Sequence, residues 1–114
     1  MNSGIRSGSM VVVAMTFMAL ASIARADDGK MIELSVKNHK FEPAEPKAMA
    51  GTAIVMKIRN LDAAPIEFES MALEFEVVVR SNAELLVKVK PQKAGRYLFF
   101  DDLHQEAKGT LVVE

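Results

Sequence analysis

An all-β sandwich is the fold class that this sequence predicts, and three observations carry the prediction. Apolar and polar residues alternate in short runs, as Ile32, Leu34 and Val36 do with Glu33, Ser35 and Lys37, which is the two-residue period of a strand with one buried face. Turn-forming groups such as Asn38-His39-Lys40 and Ala50-Gly51-Thr52 punctuate the chain at intervals of about 8–12 residues, the spacing of sandwiches and barrels. Past residue 26, only residues 71–75 have a pattern compatible with a helical turn. About seven or eight strands are expected.

Residues 1–26 read as a signal peptide, with Arg6 before an apolar run over residues 11–21 and Ala24-Arg25-Ala26 as the cleavage pattern. The run is shorter than the ~20 residues of a spanning helix. Cleavage after Ala26 leaves one domain, residues 27–114, and an exported, periplasmic location. A single Arg favours the general secretory route, and the missing Cys rules out a bacterial lipid anchor. Without any Cys, no disulfide helps this small domain, so its core must hold it. Arg6 and Arg25 depart with the leader, leaving 12 basic against 15 acidic side chains. That mild acidity argues against nucleic acid or an anionic membrane as partner.

The strands follow in order. Residues 32–36 form the first, and Phe41-Glu42-Pro43 leads to a short one near residues 47–49. Ile54, Met56 and Ile58 share one face of the next strand, which runs to Asn60 and a loop ending in Pro65. Glu67 and Glu69 are two apart and point to one face; if that face is solvated, Phe68 between them is buried. Residues 75–79, 85–89, 96–100 and 110–113 complete the set. Tyr97, Phe99 and Asp101 fall on the same side of the penultimate strand.

No Ser/His/Asp order, Gly-rich phosphate loop or H-E-x-x-H segment is present, so hydrolytic and nucleotide chemistry have no candidate residues. Carboxylates and imidazole remain. Glu67 and Glu69 read either as a solvated strand face or as metal ligands, and Asp101 and Asp102 either as a polar turn or as ligands; as ligands they could meet His104 at one end of the sandwich, with Glu106 a further candidate. An oxygen-rich set with one imidazole suits Fe(II), Fe(III), Mn(II) or Cu(II) better than Cu(I). His39 belongs to the first turn and reads as structural or surface.

Gly95, Tyr97, Phe99, His104, Gly109, Leu111 and Val113 keep the pattern G-x-Y-x-F-x-C-x-x-H-x-x-M-x-G-x-[LV]-x-V, with Asp101 at the Cys place and Ala107 at the Met place. This resembles the closing strand and metal loop of a cupredoxin, and implies a Greek-key β-sandwich of that type. By the same resemblance His104 is the loop ligand, Asp101 replaces the copper thiolate, and the loop before Pro65 stands where the first His ligand would be. Blue-copper chemistry requires a thiolate, and this chain has none.

Glu67-Phe68-Glu69-Ser70, Phe99-Phe100-Asp101-Asp102-Leu103-His104 and Ala107-Lys108-Gly109-Thr110-Leu111 resemble the cupredoxin-like branch of bacterial iron uptake represented by FtrB and the EfeO cupredoxin domain. That resemblance implies a periplasmic component of high-affinity Fe2+ transport that binds or oxidises iron, with Cu2+ or Fe2+/Fe3+ as its ion and Mn2+ as a surrogate. Its implied partners are an iron-permease membrane subunit and a second periplasmic metal-binding protein. A periplasmic copper carrier and a metal-free interaction module stand beside this reading. If Asp101 and Glu67 are ligands at an open end, removing either from the metal-free protein relieves like-charge repulsion and stabilises it by up to ~1 kcal/mol.

Overall fold

Strand pairing divides the alternating segments into two layers. The computed structural model describes residues 31–114; the expected leader and its cleavage after Ala26 lie outside the described residues. Nine strands occur among them: β1 (Met31–Lys37), β2 (Lys40–Glu42), β3 (Lys47–Ala48), β4 (Ile54–Asn60), β5 (Ile66–Ser70), β6 (Phe75–Val79), β7 (Glu84–Val89), β8 (Gly95–Asp101) and β9 (His104–Val113). One sheet has the order β2-β1-β4-β7 and the other β3-β9-β8-β5-β6. The expected all-β sandwich is present, with two differences in its parts. Lys40–Glu42 pairs with β1 as a strand of its own. The stretch expected to be a metal loop is the first half of β9, joined to β8 by only Asp102 and Leu103. Residues 71–74 form a turn rather than a helix, closed by Glu74 N–H donating to Met71 C=O at 3.3 Å.

Alternation builds the core. Ile54, Met56 and Ile58 turn inward from β4, Phe68 from β5, Phe99 from β8 and Leu111 from β9, all essentially buried. Phe99 packs edge-on to Phe41 and Phe68 at centroid distances of 5.0 and 5.5 Å, an arrangement worth about 0.5–1.5 kcal/mol per pair beyond the buried area. Gly109 is required by space: a Cβ there would lie 2.5 Å from Phe99 Cζ and 2.7 Å from the Ala44 carbonyl oxygen. Two hairpins, one from each sheet, come together at the end of this core.

Candidate metal centre

The first hairpin joins β1 to β2. Lys37 pairs with Lys40, so Asn38 and His39 alone make the turn, with φ of 52° and 58°. Two successive left-handed residues define the tight hairpin turn that matches the twist of the strands. Asp62, in the β4–β5 loop, caps it. Its Oδ1 accepts Asn38 N–H at 2.6 Å and its Oδ2 accepts His39 N–H at 3.1 Å. The loop is itself anchored: Asp62 N–H donates to Asn60 Oδ1 at 2.9 Å, and Ser81 Oγ–H donates to Asp62 C=O at 2.6 Å. Asn60, fully buried, uses Nδ2 on the carbonyls of Ala64 and Val79. Burial alone would raise the Asp62 pKa, but the N–H groups of His39 and Asn38 and the nearby imidazoles outweigh it and hold it below the usual carboxylate value.

The second hairpin carries Asp101, which pairs with Phe68 across the sheet and shares its inward face. Its Oδ1 accepts Glu67 N–H and Leu103 N–H, each at 3.0 Å. The Leu103 bond is the local turn that Asp favours. Its Oδ2 lies 3.2 Å from Nδ1 of His104, the residue opposite it in the β8–β9 register. His104 then stacks on His39 with ring centroids 4.0 Å apart and planes tilted by 30°.

One donor atom from each of His39, Asp101 and His104 falls within a group no wider than 4.8 Å. His39 Nδ1 is buried without a hydrogen-bond partner among the described residues, 3.8 Å from Asp62 Oδ2. A buried polar atom left unpaired is costly, and a bound cation would satisfy it. An open hollow of about 290 Å³, lined by Asn38, His39, Asp62, Ala63 and Ala64, lies on the His39 side of the group. Two imidazoles and a carboxylate fit Cu(II) or a divalent iron or manganese ion; the chain has no thiolate with which to hold copper as a blue centre. The donors therefore fit a metal, with nitrogen supplying more of the set than the sequence suggests.

The structure separates the residues that the sequence places in one site. Phe68 and Asp101 point inward, so Glu67 and Glu69 lie on the outer face of the same sheet. There they gather with Glu76 and Asp102, again within 4.8 Å. The hydrogen bond with Glu76, followed by desolvation and the contact with Asp102, raises the Glu67 pKa to about 7. Glu69 is raised too, by desolvation and then by the charges of Glu76 and Asp102. Asp101 instead faces N–H groups and an imidazole, so the expected relief of repulsion on removing it does not apply. Glu106 is exposed and belongs to neither group. His39, expected to be structural or at the surface, is half-buried in the centre, and Asp62 joins as a residue that sequence reasoning passed over. Asn and His both tolerate the left-handed conformation that a two-residue hairpin turn requires; no local signal tells which turn it will meet.

A two-sheet sandwich with a histidine at the end of its closing hairpin and a compact donor set beside it defines a cupredoxin-like domain. The family model of the cupredoxin-like domain matches residues 9–113, and the chain belongs to that family. An uncharacterized protein, RP394, of Rickettsia prowazekii (strain Madrid E) is 34% identical over 83 residues, covering 72% of this chain and 66% of that protein. The chain thus spans just under two thirds of that relative's length. The metal-binding domain of the Cu(I)-exporting P-type ATPase CopA from Streptococcus pneumoniae D39 superimposes with a TM-score of 0.67 at 16% identity, covering 74% of this chain and 84% of that one. Auracyanin A, a "blue" copper protein from Chloroflexus aurantiacus, gives 0.62 at 15% identity, with 74% and 98% covered. A purple cupredoxin from Nitrosopumilus maritimus gives 0.56 at 15% identity, with 75% and 100% covered. At these identities the likeness shows the shared fold.

Proposed function

We propose that this chain holds a divalent metal ion, Cu(II) foremost, on His39, His104 and Asp101, as a metal carrier and not as a blue electron-transfer protein. The observation that carries the reading is the stacked His39–His104 pair beside a buried carboxylate, with His39 Nδ1 unpartnered. Copper in auracyanin A, and Cu(I) in the CopA domain, support copper as the element, and the nitrogen and oxygen donors favour Cu(II) over Cu(I). Adding Cu(II) to the purified protein is expected to give one tight site, a weak d–d absorption, and a type 2 EPR spectrum with nitrogen couplings from imidazole. An intense thiolate-type band, or binding unchanged in the His39→Ala and His104→Ala double variant, would refute it.

The finer reading is an exported component of high-affinity iron uptake that holds or oxidises iron and passes it to an iron-permease membrane subunit beside a second periplasmic metal-binding protein. Two things support it: the resemblance of the Glu67–Ser70 and Phe99–His104 segments to that branch, and their pairing as neighbours in one sheet. Glu67, Glu69, Glu76 and Asp102 add oxygen donors of the kind iron prefers. Deleting the gene should slow growth on limiting Fe2+ and leave growth in excess iron unchanged. A growth defect confined to copper stress would favour a copper carrier.

A further inference from the structure

Asp62 reaches the metal centre without being one of its three clustered donors. Both of its carboxylate oxygens are spent on the backbone of the turn that carries His39. The same carboxylate lies 3.8 Å from His39 Nδ1 and is largely shielded from solvent, with 13% of its side chain exposed. Its loop is fixed from behind by buried Asn60 and by Ser81, so Asp62 is a rigid post and not a mobile surface acid. A turn of two left-handed residues exposes adjacent N–H groups with no strand partner, and His, unlike Gly, adopts that conformation at a cost. Asp62 accepts both of those N–H groups.

We propose that Asp62 is the positioning residue of the metal centre: it locks the Asn38-His39 turn so that the His39 ring stays against His104, ready to ligate. The proposal rests on the reading of His39, Asp101 and His104 as ligands. Carboxylates behind ligating histidines commonly contribute 10- to 100-fold in metal affinity by fixing ring orientation. Here the orientation is imposed through the main chain of the turn, and the negative charge beside the ring adds to its donor strength. The β4–β5 loop, where the cupredoxin resemblance implies a ligand, thus supplies a brace for a ligand from another hairpin.

The test is a double-mutant cycle on the full chain with Cu(II) as the probe. Asp62→Ala should weaken Cu(II) binding by about 10- to 100-fold, yet change it less than about twofold when His39 is already Ala, because coupled residues do not add. Equal losses in both backgrounds would mean a general structural role and overturn the proposal, as would a loss under about threefold in the wild-type background. NMR of the metal-free protein gives a second readout. The ring-to-ring contacts of His39 and His104 should vanish in Asp62→Ala while the β5–β8 amide signals persist; their retention would overturn it. If wild type binds no Cu(II), the ligand reading fails, and the ring contacts still decide whether Asp62 positions His39. If Asp62→Ala does not fold, Asp62→Asn, with one acceptor oxygen for two N–H groups, should show partial loss of both signals, and wild-type values in it would sink the idea.

Discussion

Replacing Asp101 by Ala in metal-free protein is expected to destabilise the fold by about 2–4 kcal/mol. Glu67 N–H and Leu103 N–H, both partly buried, bond Asp101 Oδ1 at 3.0 Å, and His104 Nδ1 lies 3.2 Å from Oδ2. An unpaired buried donor costs about 1–3 kcal/mol, and partial burial places each of these N–H groups in the lower half of that range. The His104 contact adds about 1 kcal/mol. Against this, Ala abolishes the desolvation of a fully buried carboxylate. The balance stays destabilising because neither backbone donor can reach another acceptor without breaking the β5–β8 pairing or the tight turn. Asp101→Asn retains an acceptor for both N–H groups and should lose about 1 kcal/mol or less. Urea unfolding at neutral pH with a chelator present measures the difference, and the melting temperature should fall by roughly 10–25 °C for a domain of this size. An Asp101→Ala protein as stable as wild type, or more so, would refute the buried-acceptor argument.

His39→Ala and His104→Ala should each weaken Cu(II) binding by at least about 10- to 100-fold, the loss that removing a ligand's supporting group causes, as calorimetry can check; a loss confined to His104 would return His39 to the structural or surface role read from the sequence. The metal-free protein should grow less stable as pH rises from 4.5 to about 7, because Glu67, raised to about 7 in the fold, binds a proton there that the unfolded chain has released. Glu67→Gln should flatten that slope in thermal scans taken between pH 5 and 8. Asp62 works in the opposite sense: its lowered pKa stabilises the fold above 3.8, and that contribution is lost as pH falls through the folded value. Gly109→Ala should destabilise by about 1–3 kcal/mol through overpacking against Phe99 and the Ala44 carbonyl, measurable by urea titration; a neutral substitution would mean that the sheet yields at that point.

The sequence by itself determined the strands and their faces, because a two-residue period is written into adjacent residues. Leu34 and Val36, the Ile54-Met56-Ile58 face, Phe68 between two outward glutamates, and Phe99 with Asp101 all lie as that period requires. It determined as well that no thiolate is present and that His104 stands three residues past Asp101. Only the tertiary structure decided which candidates meet. The pairing of Phe68 with Asp101 turns Asp101 inward and sends Glu67 and Glu69 to the opposite face, since neighbours along a strand cannot share a side. Strand pairing extended β9 back to His104 and shortened the expected metal loop to two residues. His39 and His104 are 65 positions apart in the chain and come from different sheets. Their stacking, and the grip of Asp62 on the turn that permits it, depend on how two hairpins close over one end of the core, a distance relation that local sequence does not encode.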